Sequence, residues 1–173
     1  MTSKMKYALP LAVAAVAGGT PAEAADNTFL KVDGVAGESR DDAHKGEIDV
    51  LGWSWNLSQD GTVQTGPGRP QVRDIKIIKF TDSATADPTQ LLLKGEQASK
   101  AVLTVRSAGE KAVEYFKVTM SPVLVTRIAQ GGSGGDDRLT ETIALNFNKF
   151  CVEYTARDPV SGAPGSPPAP ATS

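Results

Sequence analysis

The sequence predicts an all-β fold, a small antiparallel β-barrel or two-sheet sandwich with one short flanking α-helix. Apolar residues tend to alternate along the chain, which is the period of a strand. The alternating runs are short and are separated by turn residues, to which the 17 glycines contribute. One segment carries helix start and stop signals. With 173 residues, the chain can form one domain with a sizeable core.

Seven segments alternate strongly enough to be predicted as strands. The second of them, residues 47–59, places Leu51, Trp53, Trp55 and Leu57 on one face, because side chains alternate at period two. We expect these four large side chains to fill the core. The predicted strands are residues 29–32, 47–59, 72–81, 101–107, 112–120, 123–129 and 139–154.

The predicted strand at residues 72–81 is apolar on both faces. Ile75 and Ile77 lie on one face, and Ile78 and Phe80 lie on the other. A strand that is apolar on both sides is expected to be buried on both sides. In a small antiparallel barrel, the second face often meets another subunit.

Local breaks between strands are predicted from residue type. Ala108 and Gly109 predict a tight hairpin, and Pro122 predicts a bend or an edge position between two strands. In the last strand the apolar residues change from odd to even positions, which predicts a bulge near Asn148 or Lys149.

The helix is predicted just after residue 86. Asp87 can cap its N-terminus, and Pro88 fits the first helical position, where no N–H is needed. Residues 91–93 are three leucines that can pack on the sheet. Gly95 can adopt the left-handed conformation that ends a helix.

Composition excludes several functional classes. The formal net charge is −2 and no cluster of Lys or Arg stands out, so a nucleic-acid interface and a polybasic membrane surface are not predicted. The single cysteine, Cys151, cannot form an internal disulfide and is expected to be a small buried apolar residue.

The N-terminus has the pattern of a cleavable secretory signal, which we assign to residues 1–24. Lys4 and Lys6 form a positive start, residues 7–17 are apolar, and residues 22–24 place small residues where a signal peptidase cleaves. The apolar run is too short for stable membrane insertion. Cleavage after Ala24 would remove two lysines and one glutamate, giving a net charge of −3. A misassigned start codon is the alternative.

The C-terminal segment differs in composition from the rest. Residues 156–173 are rich in Pro, Ala, Gly and Ser, offer little to bury, and are predicted to be disordered. The folded domain is therefore assigned to residues 25–155. If the leader is used, the protein is expected to be secreted or periplasmic; if it is not used, the protein is expected to be cytoplasmic first and then secreted.

The sequence shows no pattern that predicts catalysis, a cofactor or a metal. His44 is the single histidine. A catalytic triad of Ser39, His44 and an acidic residue is conceivable, but a polar loop that contains one histidine is common. A second His or Cys cluster is lacking, so no transition-metal site is predicted. The glycine-rich residues 131–135 lack the Lys of a phosphate-binding loop and are predicted to form a turn.

Several stretches, in order and spacing, resemble the Hcp (haemolysin-coregulated protein) family of bacterial type VI secretion. The resemblance covers residues 28–155, and its sharpest part is the glycine-rich segment with the residues that follow it. The matching stretches are FLKV at 29–32, GES at 37–39, Asp41, His44, EIDVL at 47–51, WSW at 53–55, residues 72–80, LTVR at 103–106, VLV at 123–125, GGSGG at 131–135, DRLTE at 137–141 and LNF at 145–147.

The resemblance implies a β-barrel subunit that closes into six-membered rings, which stack into a hollow tube. It implies as partners further copies of the chain, type VI effectors carried by the tube, and tip or sheath proteins. Residues 35–45 resemble the family's extended loop, which helps ring contacts. The candidate subunit-interface residues are Glu38, Ser39, Asp41, His44, Glu47, Ile78, Phe80 and Arg138.

Two features depart from the family pattern. A cleaved leader and a Pro-rich tail are not typical of the family's tube proteins.

Three functions are compatible with the sequence. The primary prediction is a non-enzymatic, ring-forming tube subunit or effector carrier. The alternative is a stand-alone exported β-barrel that binds a ligand without joining a tube. A hydrolase that uses His44 is the third hypothesis.

Overall fold

The computed structural model describes residues 26–108, 112–135, 137–156 and 171–172. The predicted leader lies outside these residues. The fold is all-β with one short α-helix, as predicted. The strands are β1 Asn27–Val32, β2 Ile48–Val50, β3 Gly52–Ser54, β4 Leu57–Gln59, β5 Pro70–Val72, β6 Ile75–Phe80, β7 Gln97–Ala98, β8 Ala101–Arg106, β9 Glu114–Gly131, β10 Thr140–Tyr154 and β11 Ala171–Thr172, and the helix is α1 Ala86–Lys94.

The main sheet is antiparallel and nearly closes into a barrel. Its strand order is β2-β1-β8-β9-β10-β6-β3, with β7 added to β9 and β11 added to β10. The first and last strands of this order, β2 and β3, follow each other in the chain and are joined by Leu51. The two ends of the sheet therefore meet at one residue, and β4 and β5 form a separate hairpin.

The core lies inside this barrel and is built from alternate residues of the strands. Burying these side chains supplies most of the driving force for folding, because apolar area removed from water stabilises the fold in proportion to its size. The fully buried large apolar side chains include Leu30, Ile48, Ile75, Ile77, Leu103, Val118, Met120, Val123, Ile143 and Leu145.

The predicted long strand at residues 47–59 was wrong, because the structure divides it into β2, β3 and β4. β2 pairs with β1, whereas β3 pairs with β6, so the chain changes partner at Leu51 to turn the corner of the barrel. Leu51 and Leu57 are 52% and 53% exposed and do not fill the core. Trp53 and Trp55 are half-buried and pack against the core without being part of it.

Pro122 does not divide two strands, which corrects a second prediction. β9 runs without interruption from Glu114 to Gly131. On one side of β9, pairing with β8 ends at Met120, and pairing with β7 begins at Val123. Pro122 falls in this gap, where the sheet requires no backbone donor from it.

The predicted bulge also lies elsewhere. β10 keeps one register with β9 on both sides of Asn148, because Phe147 pairs with Val123 and Lys149 pairs with Ser121. The register shifts between Ala144 and Leu145, and the extra residue is Thr126 on β9. The bulge therefore belongs to the neighbouring strand.

The helix begins earlier than predicted. Asp82, not Asp87, is the capping residue: its side chain accepts the Ala84 N–H and caps a 3-10 turn, Ser83–Thr85, that leads into α1. Gly95 ends the helix in the left-handed conformation with φ 67°, as predicted. In the described part of the chain, no helix is long and apolar enough to cross a membrane.

Two residues of the predicted disordered tail are part of the sheet. Ala171 and Thr172 form β11 and pair with Val152 and Cys151 of β10. For these two residues the prediction from composition was wrong. Residues 157–170 and residue 173 lie outside the described part of the chain.

Candidate functional site

The loop that connects β1 to β2 is folded against its own chain. Backbone hydrogen bonds join Ser39 N to Glu47 O and Gly46 N to Ser39 O. A Cβ at residue 37 would lie 2.2 Å from the carbonyl oxygen of Glu47, so a glycine is required there. We call residues 37–47 the folded loop. It contains five of the eight predicted interface residues.

His44 anchors the folded loop. Its ring is buried, 5% exposed, and stacks on Phe29 with centroids 4.1 Å apart. Nδ1 donates to Glu47 Oε2 at 2.9 Å, and Nε2 lies 3.5 Å from Glu114 Oε1. Both ring nitrogens are directed at carboxylates, and Ser39 Oγ accepts the Asp41 N–H. This arrangement supports a structural role for His44 and not a Ser-His triad.

Asp41 ties the same loop to β8. Arg106 donates to both of its carboxylate oxygens, at 2.6 and 2.7 Å, in a bidentate pair. The hydrogen bonds from Arg106 lower the pKa of Asp41, against a smaller opposing effect of burial. Ser39, Asp41, His44 and Glu47 thus engage partners within one protomer and hold the loop in place.

Glu38 lies at the end of the folded loop beside the 3-10 turn. Its Oε1 accepts the Ser83 N–H at 2.9 Å. The side chain is exposed and lines a groove of about 380 Å³ that also includes Arg40, Phe80 and Arg138. The structure therefore brings together three of the predicted interface residues, Glu38, Phe80 and Arg138, from three separate segments of the chain.

An apolar surface faces outward beside this groove. Ile78 is 45% exposed, whereas Ile75 and Ile77 of the same strand are fully buried, as the alternation predicts. Leu51 donates its N–H to Ile78 O, and Leu139 accepts the Thr81 N–H through its carbonyl oxygen, so both lie next to β6. We define the outer patch by its residues, which are Leu51, Ile78, Phe80, Arg138 and Leu139.

Arg138 and Phe80 form the charged part of the outer patch. The guanidinium carbon of Arg138 lies 4.1 Å from the centroid of the Phe80 ring. This cation–π contact holds an otherwise long and mobile side chain over the aromatic face. Leu51 and Leu139, which are 52% and 58% exposed, were not predicted as interface residues. Leu139 could have been found from its position next to Arg138, but Leu51 was assigned to the core.

A buried ion cluster lies on the core side of the strand that carries the outer patch. It was not predicted from the sequence. The Nζ of Lys79 lies 2.7 Å from Glu141 Oε1 and 2.6 Å from Asp82 Oδ1, and also donates to Phe80 O. Lys79 and Glu141 are 0% and 2% exposed. The sequence did indicate that Lys79 is buried, because residue 79 shares the inward face of the strand with Ile75 and Ile77.

Glu141 is fully satisfied within this cluster. Thr85 Oγ1 donates to its Oε1, and Gln130 Nε2 donates to its Oε2, both at 3.0 Å. Burial, the largest single influence, would raise the pKa of Glu141, but the hydrogen bonds and charge of Lys79 together with the other donors lower it. Glu141 is therefore ionised in the folded chain.

We expect the folded state to lose stability in acid. Asp41 and Glu141 both have pKa values lowered from the ordinary 3.8 and 4.5. Their contributions are fully present above those ordinary values and are lost as the pH falls through the lowered pKa values, because the unfolded chain then binds more protons. Urea unfolding at pH 7 and pH 3 measures the difference.

Glu141→Gln provides the check on this expectation. The variant should lose less stability between pH 7 and pH 3 than the wild type does. Glu153→Gln, on an exposed position of the same strand, is the matched control and should keep the wild-type dependence. Equal pH dependence in all three proteins would contradict the assignment.

No metal site is formed by the residues that the structure describes. Within those ranges, no group of three or more His, Cys, Asp or Glu side chains could hold a metal ion. The outer patch is instead an apolar and aromatic surface of the sheet with a charged rim. Such a surface is suited to protein–protein contact.

Comparison with known proteins identifies the family. The family model described as "Type VI secretion system effector, Hcp" matches residues 29–154. Protein hcp1 of Pseudomonas aeruginosa is 40% identical over 144 residues, which cover 80% of this chain and 89% of that protein. The resemblance noted from the sequence motifs is thereby confirmed.

Solved structures agree with the sequence comparison. One, described as the structure of a type six secretion system protein, has a TM-score of 0.79 and 27% identity, covering 84% of this chain and 93% of its own. The crystal structure of Hcp1 from Salmonella typhimurium has a TM-score of 0.71 and 30% identity, covering 86% of this chain and 93% of its own. The chain therefore belongs to the Hcp family of type VI secretion proteins.

Proposed function

We propose that this protein is a structural, ring-forming subunit of the type VI secretion tube and that six copies form the ring. Family membership supports a secreted tube protein, and the comparisons do not favour the stand-alone binding module. The observation that carries the ring proposal is the outer patch, because Ile78, Leu51 and Leu139 expose apolar area on the face of the sheet opposite the core. A second copy of the chain would remove this area from water.

The ring requires a heterologous contact, in which the outer patch of one copy meets a different surface of the next. Repeating such a contact by a fixed rotation closes a ring, and stacking of rings extends it into a tube. The rigid folded loop, held by His44 and by the Asp41–Arg106 pair, lies beside the patch through Glu38. It supplies a preorganised rim, which lowers the entropic cost of association.

A non-enzymatic role is part of the proposal. The His44 ring stacks on Phe29 and its Nδ1 bonds to Glu47, which supports an anchoring function for this residue. Effectors carried in the ring, and tip or sheath proteins that contact it, are the proposed partners beyond the chain itself. Cleavage of residues 1–24 stays a prediction of the sequence.

Native mass measurement tests the proposal. We expect the purified full chain to show six times the mass of one chain in size-exclusion chromatography with light scattering. The complex should persist at high salt, because an interface centred on apolar side chains is weakly screened. A monomer over the whole range of concentrations would overturn the ring proposal and would favour the binding-module alternative.

A further inference from the structure

A row of outward-facing side chains crosses four neighbouring strands of the main sheet. Residues that lie directly opposite each other in a ladder place their side chains on the same face. The two residues that flank Lys76 in β6 are fully buried in the core, so the row lies on the outer face. We call it the basic row, and its members are Ser54 of β3, Lys76 of β6, Ala144 of β10 and Arg127 of β9.

The two cations of the basic row are available to a partner. Lys76 and Arg127 are exposed, and neither forms an ion pair with another residue in the part of the chain that the structure describes. One strand separates them, so their Cα atoms lie roughly 10 Å apart. The residue between them, Ala144, has only a methyl group as its side chain, which leaves space for a carboxylate that contacts both cations.

A cavity adjoins the Lys76 end of the basic row. Its volume of about 580 Å³ is in the range of ligand-binding clefts. Trp55 forms a rigid wall of this cavity, because its indole N–H donates to Arg73 O at 3.0 Å and its ring contacts Phe147 and Phe150 edge to face. The lining residues are Ser54, Trp55, Asn56, Arg73, Asp74 and Lys76.

The charges around the cavity favour an anion. Among the described residues that line it, Asp74 is the one carboxylate, and neutral groups hold both of its oxygens: Asn146 Nδ2 donates to Oδ1 at 2.7 Å and Thr126 Oγ1 donates to Oδ2 at 2.5 Å. Three cations, Arg73 and the two of the basic row, outnumber it. This face of the sheet is therefore positive, although the net charge of the whole chain is −2.

We propose that the basic row and the adjoining cavity bind an acidic polypeptide segment, and that this segment belongs to an effector carried by the tube. Two glutamates that are two residues apart on an extended segment are separated by roughly 7 Å, and their side chains are long enough to reach both cations. A nucleic acid fits less well, since it requires a larger basic surface than two cations on a chain of negative net charge.

This inference deepens the proposed function, on which it rests for the identity of the partner. The binding itself requires one protomer and no ring. It can therefore fail while the ring proposal stands.

A labelled acidic peptide tests the site. The probe is a fluorescein-labelled peptide of alternating glutamate and serine, titrated with the full chain and followed by fluorescence anisotropy. We expect saturable binding that weakens as the salt concentration rises. The double variant Lys76→Ser with Arg127→Ser should bind about tenfold more weakly, because each exposed ion pair contributes up to several-fold. Its circular dichroism spectrum and unfolding midpoint should stay close to those of the wild type, since both positions are exposed.

The matched control is Lys31→Ser with Lys100→Ser, which removes two charges from exposed positions outside the basic row. It should keep the wild-type affinity, and an equal loss in both double variants would overturn the proposal, because net charge alone would then explain binding. Equal binding of a glutamine–serine peptide, or tighter binding of an oligothymidylate, would overturn the assignment of an acidic polypeptide. A wild-type hexamer that does not bind the acidic peptide would overturn this inference and leave the ring proposal intact.

Discussion

Lys79→Met is expected to destabilise the folded chain by about 3–5 kcal/mol, since it leaves the buried carboxylate of Glu141 without its cation. The side chain of Glu141 is fully buried, and Asp82 also loses its ion pair. The methionine fills the space but cannot donate to Phe80 O or to either carboxylate. Equilibrium unfolding in urea measures the loss.

Lys76→Met is the matched control for this substitution. Lys76 lies on the same strand three residues earlier, but on the exposed face. An exposed substitution of this kind usually changes stability by no more than about 0.5 kcal/mol. Equal effects of the two substitutions would show that Lys79 is not held in a buried ion cluster.

The double variant Lys79→Met with Glu141→Leu separates lost pairing from lost charge. Removing both charges together leaves no unpaired carboxylate at position 141, and only Asp82 still lacks its cation, so we expect the double variant to be less destabilised than Lys79→Met alone. Recovery should be incomplete, because Thr85 and Gln130 then lose the carboxylate to which they donate. A double variant that equals the sum of the two single losses would contradict direct coupling.

This cluster connects the core of the barrel to the outer patch. Lys79 lies between Ile78 and Phe80, and its Nζ donates to the carbonyl of Phe80. Asp82, which Lys79 contacts, also caps the 3-10 turn that leads into α1. The cluster therefore fixes the backbone that presents the two outward side chains.

Period-two alternation predicted the parts of the fold that depend on one strand alone. It placed Ile75 and Ile77 on one face of the strand and Ile78 on the other, and the structure buries the first two and leaves Ile78 45% exposed. The same rule puts Lys79 inside, but a lysine is read as exposed unless its partner is known. Glu141 is 62 residues away in sequence, so the pairing of β6 with β10 had to be known first.

The wrong predictions about the strands share a physical cause, which is that each depended on a neighbouring strand. Leu51 looks like a core residue by alternation, but the barrel turns its corner there and the side chain points out. Pro122 looks like a strand end, but it lies where β8 stops and β7 starts. Neither the partner change nor the gap is encoded in the local pattern of residues.

A loop was predicted at residues 35–45, which overlaps most of the folded loop, but the roles of its residues were not predicted. Family resemblance grouped Ser39, Asp41, His44 and Glu47 as interface candidates. In the structure they bind Phe29, Arg106 and each other. Long-range partners on β1 and β8 decide this, and no spacing within the loop indicates them.

Ile78→Glu is expected to prevent ring formation while leaving the protomer folded. The side chain is on the exposed face of β6, so a carboxylate there is solvated in the free protomer. In a ring it would be buried without a partner, which costs far more than the lost apolar contact. A central interface residue of this type is worth at least about 2 kcal/mol, or about 30-fold in association at each contact.

Val63→Glu is the control for this substitution. Val63 is fully exposed at the tip of the β4–β5 hairpin and lies outside the outer patch. We expect it to keep the wild-type mass in light scattering, whereas Ile78→Glu should elute as a monomer with an unchanged circular dichroism spectrum and unfolding midpoint. Ile78→Val, which keeps an apolar side chain, should still assemble.

The pattern across the three variants locates the contact. Loss of the ring in Ile78→Glu alone would place the interface at the outer patch, since the charge is the same in both glutamate variants and only its position differs. Loss in both variants would mean that added negative charge, and not the patch, opposes assembly of a chain whose net charge is already −2. An intact ring in Ile78→Glu would place the subunit contact on another face of the barrel.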